Sequence, residues 1–215
     1  IVSGTAFILC SVVGVLIGTI SAFKQYTITD KIITFTVLTG ISLPSFFLGM
    51  MMILLFAVNL QWLPVSGMYA IYGGGDFLDL IHHLIMPAIA LALVATGVVA
   101  RITRNSVLEI LRQDYIRTAR AKGVREGNVL FKHVLRIAIV TILPILGLQA
   151  GFVLSGSVFI EIVFQWPGVG RMLVDAILKR DILLVQGGVM FVAACYVLFN
   201  IAVDLLQRYL DPRIK

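Results

Sequence analysis

The sequence predicts an all-α, polytopic transmembrane helix bundle, and three observations lead there. Sixty per cent of its 215 residues are hydrophobic and 13% are charged, against roughly a quarter charged in ordinary globular chains. Five runs carry no Asp, Glu, Lys or Arg: Ile1–Phe23, Ile32–Gly75, Leu80–Ala100, Ile137–Ile160 and Ile182–Val203. Each is long enough for the ~20 residues that cross a hydrocarbon core. With five spans the connections alternate sides. One side then holds Lys24, Lys31, the nine basic residues from Arg101 to Arg136, Arg208, Arg213 and Lys215, and the other holds Arg171, Lys179 and Arg180. Fourteen against three places the 101–136 loop and the C-terminus in the cytoplasm and residue 1 outside. The net charge of +6 is the sum of this bias rather than a nucleic-acid signature.

The chain opens on Ile1 inside an apolar run with no charged segment ahead of it, which fits a membrane protein truncated at its N-terminus better than a signal peptide. At least one helix is expected upstream. In the first span Gly14 and Gly18 make a small-xxx-small pair that permits close helix approach, most simply against a neighbour in the same chain. Cys10 and Cys195 both fall within spans and read as small packing residues. Pro44 stands inside the second span between Gly40 and Gly49, a candidate helix kink.

The tail of that long run, QWLPVSGMYAIYGGG, carries the Pro and Gly of a loop, with Trp62, Tyr69 and Tyr72 suited to an interfacial belt. His82 and His83 are adjacent and so diverge by about 100° on a helix, which does not make a metal site. Ser106 and Glu109 fit a capping box and predict a helix start after the third span. Leu108, Leu111 and Tyr115 recur at helical spacing, and Gly123 stands where a left-handed cap would end the pattern. A second short pattern follows in Val129, Leu130, His133, Val134 and Ile137, with Arg125, Lys132 and Arg136 on its other side. The two form a helix–turn–helix with an apolar stripe toward the bundle and a polar face toward a soluble partner or lipid.

After the fourth span, Pro167, Gly168 and Gly170 predict a turn and Met172–Lys179 a short helix. The last span carries Asn200 and Asp204 near its end and runs into the tail YLDPRIK. There is no phosphate-binding GxxxxGK[ST] loop, no His/Cys ligand cluster and no nucleophile–base set. Glu161 and Asp204 both lie close to span ends, so no ionisable site marks the midplane as a coupled carrier would require. Uphill transport would draw its energy from another subunit, through the basic loop.

At these residues the chain resembles the membrane permease subunits of ABC importers, in the dipeptide/oligopeptide/nickel group. RTARAKG is similar to the EAA loop of that superfamily, with Arg117, Thr118 and Ala119 in the EAA places and Gly123 as its glycine. A Leu-Pro pair usual after that loop is here Leu135-Arg136, with Leu143-Pro144 later, a departure that fits the peptide branch. LPVSG at 63–67, FQWPGVGRMLVDAILKRD with Gln186-Gly187, and NIAVDLLQRYLDPRIK extend the likeness, closest to the first of the paired permeases in dipeptide systems.

The resemblance implies a type I importer core over residues 1–215 whose first family helix is missing, with a cytoplasmic coupling loop at 105–136. Arg117, Thr118, Ala119, Arg120, Ala121, Lys122 and Gly123 would contact an ATP-binding subunit. Trp166, Pro167, Gly168 and Gly170 are candidates for an outer gate or for docking an extracytoplasmic solute-binding protein. The chain would carry no catalytic residue, metal or cofactor of its own, with ATP and Mg on the partner subunits, and would pair with a second, homologous permease. Di- or oligopeptides are the expected solutes, in a bacterial or archaeal cytoplasmic membrane. Import of nickel, glutathione or another small solute belongs to the same family, and a self-contained carrier, a channel or a scaffolding anchor are the readings from other classes.

Overall fold

The computed structural model describes residues 1–70 and 72–210; Arg213, Lys215 and the DPRIK end of the tail lie outside them. The described residues are helical with no strand. In chain order the helices are α1 (Val2–Phe23), α2 (Ile28–Ser42), α3 (Ser45–Met52), α4 (Phe77–Leu111), α5 (Asp114–Ala121), α6 (Glu126–Asn128), α7 (Arg136–Val163), α8 (Val169–Leu178) and α9 (Ile182–Leu210). Wide π-helical turns extend α3 through Ile53–Asn59 and join α6 to α7 through Val129–Leu135. Four helices are long and apolar enough to cross a membrane, and the count is five if the bent pair of α2 with α3 and its π-helical extension is taken as one span.

α4 is the axis of the bundle. Small residues dominate its buried face (Ala88, Ala90, Ala92, Ala95, Gly97, Ala100), so neighbouring helices come close to its backbone. α1 lies along it in an intimate seam. A Cβ on Gly14 would stand 2.8 Å from Val99 Cβ, and one on Gly18 would press on the Ala100 carbonyl and stand 2.7 Å from Thr103 Cβ. The small-xxx-small pair is thus spent within the chain, as the sequence suggested. α7 and α3 pack on other sides of α4, and α9 lies outermost, with only Gly188 and Val203 buried.

The core divides toward the two ends. One cluster gathers Val2, Ala6, Cys10, Ala57, Met86, Leu91, Ile160, Phe164 and Trp166; the other gathers Ala22, Val107, Ile110, Ile116, Val129, Val134, Ala138 and Ile142. The second cluster sits at the end carrying Lys24, Lys31 and the Arg101–Arg136 loop, here called the basic end.

Three expectations need correction, and one holds in stronger form. The Ser106–Glu109 capping box starts no helix: α4 runs unbroken to Leu111, and Ser106 is buried on its inner face. No breaker precedes it; the chain turns instead at Gln113, whose extended backbone (φ −70°, ψ 145°) starts α5. The second short pattern is the first part of one continuous helical stretch, Glu126–Val163, because nothing between Asn128 and Ile137 stops it and Pro144 is absorbed inside α7. The kink expected at Pro44 is present, and it is large. Leu43 and Pro44 are both extended, as the clash between a proline ring and the preceding residue favours, and the halves meet at 102°. Finally, the short helix of the last loop begins at Val169, because Gly168 is its extended N-cap.

Candidate functional site

The predicted contact segment is α5 and the turn after it. Asp114 in its first turn and Arg120 in its last match the helix dipole. A single side chain anchors the helix: Ile116 is fully buried against Val107, Ile110, Val129 and Val134. Tyr115, expected on the inner stripe, is instead 42% exposed, one position out of phase with the true anchor. Partial burial of its ring still raises the phenol above its usual range.

α5 ends in a paired cap. The Gly123 amide donates to the Arg120 carbonyl at 2.9 Å and the Val124 amide to the Ala119 carbonyl at 3.2 Å, with Gly123 at φ +76°. This is a Schellman termination, which requires the left-handed conformation at that position. A Cβ on Gly123 would meet nothing within 4 Å, so the demand for glycine there is conformational and not steric.

Arg117, Thr118, Arg120, Ala121, Lys122 and Gly123 are exposed and Ala119 is half-buried. Their charges are not all free. Arg120 donates to both oxygens of Glu126 at 2.8 and 3.1 Å, bracing the turn, and Arg117 lies 3.5 Å from Asp114. Lys122 has no ion-pair partner among the described residues.

At the opposite end the Trp166–Gly170 stretch is built around a carboxylate that the sequence showed only as a span-end residue. Glu161 is buried and accepts from the Arg171 amide at 3.1 Å, closing the N-terminus of α8. Its carboxyl group occupies the space where a Cβ on Gly168 would stand, and a Cβ on Gly170 would lie 2.8 Å from Val158 Cα. Trp166 is buried in the core cluster of that end, while Pro167 is exposed. A cavity of about 670 Å³ opens beside them, lined in part by Ser3, Ser155, Glu161, Trp166 and Leu173. Nearby, Asp79 accepts from the Ala70 and Gly75 amides and His82 Nε2 meets the Trp62 carbonyl at 3.0 Å, pinning the 60–76 loop to the start of α4.

One constellation escaped sequence reasoning altogether. Arg104 on α4 donates from Nε and Nη2 to the two oxygens of Asp30 on α2 at 2.9 and 2.8 Å, and the Ser21 hydroxyl on α1 donates to the same carboxylate. Seventy-four residues separate the ionised partners, and no local spacing announces them.

Residues 14–215 match the family described as binding-protein-dependent transport system inner membrane component. The di/tripeptide transport system permease protein DppB of Pseudomonas aeruginosa (strain UCBPP-PA14) is 41% identical over 228 residues, covering 98% of this chain and 68% of that protein. The dipeptide transport system permease protein DppB of Escherichia coli (strain K12) is 41% identical with the same coverage, and the oligopeptide transport system permease protein AppB of Bacillus subtilis (strain 168) is 39% identical over 97% of this chain and 66% of its own. The backbone is similar to a chain of the MetNI methionine ABC transporter in an inward-facing crystal form. The TM-score is 0.75, with 97% of this chain and 91% of that one covered, at 16% identity, a likeness of fold. The chain belongs to the family of binding-protein-dependent transport system inner membrane components, as a multi-pass permease subunit with the type I ABC importer fold.

Proposed function

We propose that this chain is one of the two permease subunits of an ATP-driven importer of di- and oligopeptides, and that α5 with its Gly123 turn is where ATP-binding subunits engage it. The basic end is then cytoplasmic, the C-terminus included, and the 105–136 loop is the coupling element of a single 1–215 permease domain. Hydrolysis of ATP, with its Mg, belongs to the partner subunits. A second, homologous permease completes the solute path, and an extracytoplasmic binding protein delivers peptide at the Trp166–Gly170 end. The similarity to named peptide permeases supports the solute class.

The observation that carries the coupling reading is the construction of α5. It is a short helix fastened by one buried residue, Ile116, with the outward face of its last two turns offered to solvent and its end set by a glycine at positive φ. Such an element can be pushed as a unit without unfolding the bundle, because its C-terminal end is closed by its own backbone hydrogen bonds. Closure of two nucleotide-bound partner subunits would displace it, and the long helices on either side, α4 and α6–α7, would carry the displacement across the membrane.

The test is co-purification from detergent of the full importer, scored beside ATP-dependent dipeptide uptake in proteoliposomes. A β-branched residue in left-handed backbone is strained by about 1–2 kcal/mol and Asn much less. Gly123→Val is therefore expected to lose the ATPase subunit and uptake while the permease still reaches the membrane, and Gly123→Asn to retain both in large part. Retention of the ATPase by Gly123→Val with unchanged uptake would remove the turn from the coupling role. Uptake by wild type without ATP would overturn the importer reading.

A further inference from the structure

The attachment of α2 to the rest of the bundle is lopsided. Of its fifteen residues, Asp30 alone is buried, whereas Ile32, Phe35 and Leu38 are exposed. Toward the far end Ile41 seats against Gly97 of α4, just before the Leu43–Pro44 break severs α2 from α3. Between Asp30 and the contact that Val37 and Ile41 make at Gly97, the helix does not close fully on its neighbours. A cavity of about 250 Å³ separates it from α1 and α4, lined by Gly18, Ile33, Thr34, Val37, Ala100 and Asn105. α2 is thus held by an ionic contact at the basic end and by a close contact at Gly97, and the chain breaks just beyond it.

We infer that Asp30, Arg104 and Ser21 form a latch that ties the broken span to α4, and that these are positioning residues for transport: the latch decides whether α2 follows the α4–α5 end when that end moves. The inference rests on the permease reading of the preceding section for its transport consequence, and on geometry alone for the latch. Three features make the contact switch-like. A fork-to-fork guanidinium–carboxylate pair keeps its strength only in one geometry. The Asp30 side chain is 7% exposed and that of Arg104 25%, and a charge this deep is costly once its partner leaves, so half-open arrangements are disfavoured. The adjoining cavity is lined in part by Arg104 and Ser21, so it gives the guanidinium somewhere to go when the pair parts. Meanwhile α1, which supplies Ser21, is interlocked with α4 through Gly14 and Gly18, so the fixed side of the latch is a rigid pair of helices. Arg104 also stands about two turns from the end of α4, close to where α5 hangs.

The experiment uses the complete importer in nanodiscs and proteoliposomes, comparing wild type, Asp30→Asn, Arg104→Gln and the double variant Asp30→Asn/Arg104→Gln, with Asp30→Glu as the conservative control. The double variant leaves no unpaired charge and so separates the latch from simple destabilisation. Two readouts are taken: amide hydrogen exchange of α2, α1 and α4, and dipeptides transported per ATP hydrolysed. The latch predicts that exchange in Ile28–Ser42 rises at least about tenfold in the double variant with α1 and α4 unchanged, since only a local opening is released. It also predicts that transport per ATP falls at least about fivefold, with Asp30→Glu recovering part of it. Unchanged exchange in α2, or equal loss of protection in α1 and α4, would overturn it, as would an unaltered transport ratio. Absence of ATP-dependent uptake in wild type would count against the permease reading alone, because the exchange comparison tests the latch without it.

Discussion

Thr103 carries the one buried side-chain oxygen that finds no partner among the described residues, and it does so at full burial in the α1–α4 seam. An orphan hydroxyl of this kind costs on the order of 1–3 kcal/mol of desolvation with nothing gained. Thr103→Val is therefore expected to stabilise the detergent-solubilised protein by about 1 kcal/mol, read as a higher midpoint in thermal or denaturant unfolding. A lower midpoint would show that the hydroxyl is satisfied after all. Legibility varied sharply at this scale. Gly14 and Gly18 could be read as a close-approach pair because small residues four apart share a helix face. Asp30 and Arg104 could not be paired, because each alone is indistinguishable from the charges that flank any span, and their meeting depends on how three helices cross.

Between the residue and the whole, the α7–α8 corner shows how one carboxylate organises a loop. Gly168 and Gly170 could be read as turn residues, but Gly168 is required by the Glu161 carboxyl group lodged where its side chain would be, and Gly170 by the close approach of Val158 with that carboxyl beside it. Gly168→Ala is expected to destabilise by about 1–3 kcal/mol, the usual range for overpacking. Glu161→Ala/Gly168→Ala is expected to be less damaged than the two single changes summed, since the clash vanishes with the carboxylate. Additive single effects in a double-mutant unfolding cycle would contradict that account. The misreadings at this scale share a cause. Ser106–Glu109 satisfies a four-residue pattern, yet helix continuation was decided by the buried Ala- and Val-rich face of α4, which a local motif cannot see. For α5 the pattern Leu108, Leu111, Tyr115 misled because it runs across the break at Gln113: the first two residues lie on α4, and α5 restarts the phase with Ile116 as its anchor.

Across the whole molecule, hydropathy and charge asymmetry accounted for four spans, for a fifth if the bent pair is one, and for which loops share an end. That is so because both are sums over many residues and survive local error. The arrangement makes a direct prediction. In a variant with Cys10 and Cys195 replaced, cysteine at exposed Tyr72 is expected to react with an impermeant maleimide in spheroplasts, and cysteine at exposed Lys122 only after permeabilisation. Labelling of both positions from the same side would break the five-span topology. What no sum could supply was the angle at Pro44, because a proline predicts a disturbance without its size.

That angle has a bearing on the surrounding bilayer. α2 is fifteen residues long, about 22 Å, and stops level with the middle of α4, where Gly40 approaches the Leu93 carbonyl. Its last carbonyls and the first amides of α3 lack helical partners there, and acyl chains offer no hydrogen bonds in exchange. Hydrocarbon therefore cannot seal around the elbow. Water or another polypeptide must follow it into the membrane, so the elbow belongs to the side of the molecule that lipid does not wet.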